Sequence, residues 1–127
     1  MAEGAELPAE MRRVLAGRDT VVVTSRDLER EGSARMWFAL SPQGVLYLLT
    51  PSVSLKARRW EEDPWVRVRA GREMTEGVVE PVTLAEVEDD VPLLLTRFAM
   101  AGAATVEALS WMLDSGSHRL FRVRPRG

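Results

Sequence analysis

Cysteine, isoleucine and asparagine are missing from this 127-residue chain, and lysine and histidine occur once each, as Lys56 and His118. Without cysteine there is no disulfide frame, no thiol nucleophile and no thiolate metal site. One histidine cannot make a zinc site unaided. Long apolar runs are also missing, since none reaches the roughly 18 residues that would span a bilayer. Met1–Leu7 is acidic and short, unlike a secretory signal. Neither sign of charge prevails. The 17 basic and 19 acidic residues give a net charge of −2 and a pI near 5.5, with no electrostatic drive toward nucleic acid. The expectation is a cytoplasmic protein of one domain, residues 1–127, that binds neither membrane nor nucleic acid.

The periodicity of what remains predicts the elements. Leu7–Ala16 reads as a helix, with Pro8 in its first turn and Gly17 after its end. Thr20–Ser25 is a β-branched run suited to a strand. Arg26–Ser33 reads as a charged turn, and Ala34–Leu40 as the next strand. Ser41–Gly44 makes a tight turn into a third strand, Val45–Thr50, and the three strands predict an antiparallel meander. Ser52 or Ser54 can cap a helix that runs to Glu62, before Asp63-Pro64 stops it. In Trp65–Ala70, Val66 and Val68 alternate with Arg67 and Arg69, which predicts a half-exposed strand. Val78–Leu84 reads as a weaker strand broken by Pro81. Val91–Ala101 and Thr105–Asp114 read as helices, and His118–Arg124 as a last strand. Many short strands with a few peripheral helices predict a mainly β, α+β fold: a small, closed or partly closed antiparallel barrel. The four tryptophans, Trp37, Trp60, Trp65 and Trp111, read as core or interface anchors rather than a stacking platform.

Arginine is the default cation here, so the solitary Lys56 marks a place where a compact ammonium is wanted. It lies in Thr50-Pro-Ser-Val-Ser54-Leu-Lys56, between a strand and the start of a helix. Lys56, Arg58 and Arg59 crowd that start and Glu61, Glu62 and Asp63 its end, the wrong signs for the helix dipole. A phosphate at the helix start would reverse the sign there, meeting free N–H groups, the hydroxyls of Thr50 and Ser54, and Lys56. The alternative is a solvated helix laced by pairs such as Arg58–Glu62. Arg35 opens a strand whose start can lie beside Thr50, where a guanidinium would add a bidentate contact. Otherwise it is an exposed strand-end arginine.

The ordered set Arg35-Met-Trp-Phe-Ala, Leu49-Thr50, Ser54-Leu-Lys56 and Asp63-Pro64-x-Val66 resembles the pyridoxamine 5'-phosphate oxidase-like family, the flavin-binding split β-barrels. The resemblance is close over Thr20–Ala70 and looser to the end, where Phe121-Arg-Val-Arg-Pro125 is similar to the family's last strand. It implies that Arg35, Ser54 and Lys56 hold the phosphate of FMN, with Thr50 nearby. Met36, Trp37 and Phe38 would lie along the ring by backbone contact, and Leu49 and Leu55 would line the pocket. It also implies a homodimer with cofactor sites at the subunit interface and a small-molecule substrate.

The implied activity is that of an oxidoreductase passing hydride between its cofactor and a small conjugated substrate. The cofactor is FMN, or the 8-hydroxy-5-deazaflavin coenzyme (F-420) that several relatives bind in the same groove. The Gln, Trp and Arg-x-His elements of true pyridoxamine phosphate oxidases have no match, so vitamin B6 oxidation is not expected. No side chain stands out as an acid or base. Two other readings are kept: a non-catalytic flavin-binding or storage protein, and a structural dimer that has lost its ligand or holds haem at His118.

Overall fold

The computed structural model describes residues 6–126. The acidic start, on which the expectation about a secretory signal rests, lies mostly outside them. Helix α1, Ala9–Leu15, follows Pro8 and buries Met11 and Leu15. Strands β1, Thr20–Asp27, and β2, Arg30–Trp37, pair antiparallel from Thr20↔Trp37 to Asp27↔Arg30. The two-residue strand β3, Ala39–Leu40, follows β2 after a break at Phe38. Strand β4 is Leu46–Pro51, helix α2 is Leu55–Glu62 and strand β5 is Trp65–Ala70. Strand β6, Glu73–Pro81, leads through a 3-10 turn to helix α3, Val91–Arg97. Helix α4, Val106–Asp114, precedes the last strand, β7, His118–Pro125.

All seven strands belong to one antiparallel sheet in the order β2-β1-β5-β6-β7-β4-β3. Its two outer strands, β2 and β3, are halves of a single extended run, so the sheet curls until that run joins its edges. The fold is a split β-barrel with four peripheral helices. The expected meander is formed only in part. β2 pairs only with β1, and β4 pairs with β3 and β7, so the second predicted strand ladders with the first through Ala34–Trp37 and with the third only through Ala39–Leu40, while β2 and β4 face each other across the split. The bend at Phe38 is the cause, because it carries the chain from one edge of the sheet to the other.

Other differences are local. The predicted turn at Arg26–Ser33 is instead the tip of the β1–β2 hairpin, reduced to Leu28 and Glu29. Its charged residues project from paired, mostly exposed strand ends, which is why they resemble loop. The weak strand begins earlier than expected, at Glu73, and Pro81 closes it. The helix predicted over Val91–Ala101 breaks at Phe98, beyond which Ala99–Ala101 is 3-10 and Gly102 leaves at φ 101°. The predicted alternation in β5 holds, with Val66 and Val68 fully buried and Arg69 exposed. Of the tryptophans, Trp60 and Trp65 are buried, while Trp37 and Trp111 are 43% and 66% exposed.

Strand β4 is buried at every position but its last because both of its faces are covered. Leu46 and Leu48 enter the barrel core with Val21, Met36, Phe38, Val68 and Phe121. Tyr47 and Leu49 enter a second core with Leu94, Phe98, Leu109 and Leu120, beneath α3 and α4. Such double burial gives a continuous apolar run rather than an alternating one.

Candidate functional site

Helix α2 is placed by Trp60. Its indole is buried in the barrel, edge-on to Phe121 with ring centroids 5.0 Å apart, and its Nε1–H donates to the Trp65 carbonyl at 3.2 Å. Lys56 is four residues earlier, so it shares that helix face one turn nearer the N-terminus. Driving Trp60 into the core therefore sets Lys56 at the barrel rim.

Ser54 caps the helix, its Oγ accepting from the Ala57 N–H at 3.2 Å. The same Oγ lies 3.0 Å from Oγ1 of Thr50, a fully buried residue at the end of β4. The N–H groups of Leu55 and Lys56 have no acceptor among the described residues. No acid stands in the first turn. The helix start thus offers two free donors and net positive charge.

The split between β2 and β4 opens beside this rim as a cleft of about 410 Å³. Arg35, Met36 and Trp37 of β2 form one wall, and Leu49, Thr50 and Pro51 of β4 the other. Lys56 stands over the end, and Thr20, Phe98 and Ala101 complete the lining. Arg35 donates to Thr20 Oγ1 at 3.3 Å. Among the described residues neither Arg35 nor Lys56 forms an ion pair. Burial pushes the Lys56 ammonium below the ordinary lysine range, with nothing to oppose the shift. Two cations and two hydroxyl residues therefore line an apolar-walled cleft that has no carboxylate among the described residues. By charge and donor chemistry this arrangement suits an anion attached to a flat apolar body.

Six of the nine residues singled out in the sequence share this cleft: Arg35, Met36, Trp37, Leu49, Thr50 and Lys56. The other three lie elsewhere. The Phe38 ring is packed in the barrel core, and its carbonyl accepts from Arg97 Nε at 3.3 Å. Ser54 is one step behind the lining, engaged in the cap. Leu55 is 62% exposed and faces a different depression, with Arg58 and Glu62. The Arg58–Glu62 pair of the alternative reading is not among the ion pairs of the described residues; Glu61 meets Arg119 at 3.5 Å.

Thr20, Pro51, Phe98 and Ala101 were not anticipated. Thr20 is brought in by its register with Trp37. Phe98 and Ala101 come from a segment more than forty residues beyond Lys56, held in place by Arg97. That guanidinium donates to the Arg18 carbonyl at 2.9 Å, reaches Asp19 at 3.5 Å and lies 5.3 Å over the Phe38 ring. An arginine inside an apolar helical run was the one signal available for this contact.

His118 lies outside the cleft. Its Nδ1 is 2.9 Å from Ser117 Oγ, and it borders a separate depression between β7 and α4. Among the described residues no cluster of three or more His, Cys, Asp or Glu is arranged to hold a metal ion, and no helix is long and apolar enough to cross a membrane.

No protein-family model and no curated protein matches the chain. Solved structures do. A candidate pyridoxamine 5'-phosphate oxidase from Listeria innocua aligns over 93% of this chain and 92% of its own, with TM-score 0.67 and 15% identity. An FAD-binding protein from Mesorhizobium loti aligns over 95% and 91%, with TM-score 0.67 and 16% identity. A protein of unknown function from Agrobacterium tumefaciens aligns over 94% of this chain, with TM-score 0.69 and 20% identity, and this chain spans 55% of its length. The fold is that of the pyridoxamine 5'-phosphate oxidase-like split barrels.

Proposed function

We propose that the chain binds FMN in the β2–β4 cleft and serves as a flavin-dependent oxidoreductase acting on a small conjugated substrate. The observation that carries this reading is that Arg35 and Lys56, both without an acidic partner among the described residues, line one cleft with Thr20 and Thr50. The naming of one solved neighbour as FAD-binding and another as a candidate pyridoxamine 5'-phosphate oxidase supports a flavin over other phosphorylated ligands.

In this reading Lys56 and the free N–H groups at the start of α2 take the phosphate, and Arg35 binds it from the opposite wall. Ser54 acts from behind, fixing the first turn of α2 and the hydroxyl of Thr50. Trp37 and Leu49 offer an apolar surface to a flat ring, beside Met36, whose side chain is packed in the barrel core. A bound flavin would supply the hydride-exchange chemistry. Among the described residues the only titratable side chains on the lining are the two cations, so the protein's part is to bind, orient and desolvate.

Trp37 remains 43% exposed at the cleft, and Met100, next to the lining residue Ala101, is 83% exposed. A second copy covering these residues would complete the site, and we propose a homodimer on that basis.

The test is mass spectrometry of whatever co-purifies, followed by titration of the stripped protein with FMN, FAD and the deazaflavin coenzyme. Saturable FMN binding at one site per chain is expected, with turnover against electron acceptors once loaded. Binding without turnover identifies a carrier. Failure to bind any of the three refutes the reading.

A further inference from the structure

Lys56 bears the chain's one ε-amine. Three features of its setting give that amine a use besides charge. It lines a cleft rather than standing in open solvent, and no carboxylate among the described residues holds it as an ammonium. Desolvation holds its pKa below the ordinary lysine range, which raises the share of neutral, nucleophilic amine at neutral pH. Arg35 lines the same cleft with a guanidinium that stays charged and can grip a phosphate through paired N–H donors. An amine that shares an apolar-walled cleft with a guanidinium is an arrangement that concentrates electrophiles carrying a phosphate.

We propose that Lys56 is a covalent capture site for small phosphorylated aldehydes, with Arg35 holding the phosphate. The lone pair of neutral Nζ attacks the carbonyl carbon, forming a C–N bond as the C=O π pair moves to oxygen. A proton passes from nitrogen to that oxygen. Loss of the hydroxyl, together with the second nitrogen proton, then gives a C=N bond and one water. Amine and aldehyde become imine and water, and nothing is oxidised or reduced. The site is the one proposed above for a flavin phosphate, but the occupant and the chemistry differ, and capture does not require flavin to bind.

The test treats the whole protein with glycolaldehyde phosphate or unphosphorylated glycolaldehyde in the presence of cyanoborohydride, and peptide masses locate the reduced adduct. We expect the adduct at Lys56, clearly above the level at the chain's α-amine. The phosphorylated aldehyde should react about tenfold faster or more, the discrimination expected of a charge-assisted contact. Arg35→Gln should bring the two rates near parity, and Lys56→Arg should abolish the adduct, with circular dichroism showing that both variants are folded. Absence of a Lys56 adduct, or equal rates for the two aldehydes with wild-type protein, overturns the proposal. Added FMN separates this proposal from the flavin reading. Fast labelling in protein that binds no FMN upholds capture and removes the flavin. FMN binding in protein that is not labelled does the reverse. Labelling that FMN suppresses upholds both.

Discussion

The hydroxyls of Thr50 and Ser54 lie 3.0 Å apart, joining the last buried residue of β4 to the cap of α2. This contact couples fold to site, because it fixes the helix turn that carries Lys56. Ser54→Ala removes the acceptor for the Ala57 N–H and leaves a fully buried threonine hydroxyl without its partner. Loss of a cap costs about 1 kcal/mol, and an orphaned buried hydroxyl about 1 kcal/mol or more. The variant should be about 2 kcal/mol less stable by denaturant unfolding. Ser54→Thr, which keeps the hydroxyl, should recover most of the difference.

Lys56→Ala is expected to weaken FMN binding by about 1.5–3 kcal/mol, the worth of a charge-assisted hydrogen bond to phosphate. Its folding stability should hardly change, since Lys56 has no ion-pair partner among the described residues to leave behind. Calorimetric titration and thermal melts of the same samples check both halves. Unchanged affinity would remove Lys56 from the site.

Much of the barrel was legible in the sequence where burial is one-sided. The Val66/Arg67 alternation of β5 is a clear example, and Ser54 and Asp63-Pro64 mark the ends of α2 closely. Pairing was legible between chain neighbours, as in β1–β2 and β3–β4, but the split was not. β2 and β3 look like one strand along the chain, and only the three-dimensional bend at Phe38 sends its halves to opposite edges of the sheet. The cleft was legible through the types and spacing of Arg35, Thr50 and Lys56. Phe98 and Ala101 were not, because they belong to the wall through the long-range hold of Arg97 on the Phe38 and Arg18 carbonyls. Sequence spacing carries no trace of such a contact.

Gly77 in β6 is opposite Pro125 of β7. A Cβ at position 77 would fall far inside contact distance of the Arg124 carbonyl oxygen and 2.8 Å from Pro125 Cα. Both are backbone atoms, which cannot swing aside as a side-chain tip would. Gly77→Ala should therefore destabilise by about 1–3 kcal/mol, as overpacking does, despite the better strand propensity of alanine. A melt at or above the wild-type temperature would show that the β6–β7 ladder shifts freely.

Glu80 of β6 takes hydrogen bonds from Arg122 Nε at 2.7 Å and Arg124 Nη2 at 3.0 Å. Burial pushes its carboxyl pKa up, but the hydrogen bonds and charges of Arg124 and Arg122 outweigh that and hold it below the ordinary 4.5. A depressed carboxyl stabilises the fold fully above its unfolded-state pKa, and this contribution is lost as pH falls through the folded-state value. The stability gap between wild type and Glu80→Gln should therefore be greatest at neutral pH and narrow on acidification below 4.5. Melting temperatures of the two proteins across that range measure it. A gap that widens in acid would contradict the assignment.

Leu28 occupies the tip of the β1–β2 hairpin at φ 56°, 89% exposed. Two-residue hairpin loops require positive φ, and glycine or asparagine ordinarily meets that need. The β5–β6 hairpin follows the rule with Gly71 at φ 59°. A leucine in the left-handed region crowds its own Cβ against the following carbonyl, at a cost of roughly 1–2 kcal/mol. Being exposed, it recovers little by burial. Leu28→Asn keeps the turn, tolerates the conformation and loses almost no buried area, so it should stabilise the chain by about 0.5–1 kcal/mol in denaturant unfolding. If the variant is instead less stable, the Leu28 side chain is packed in the folded protein in solution. A stability that varies with protein concentration in wild type but not in Leu28→Asn would place that packing against a second copy.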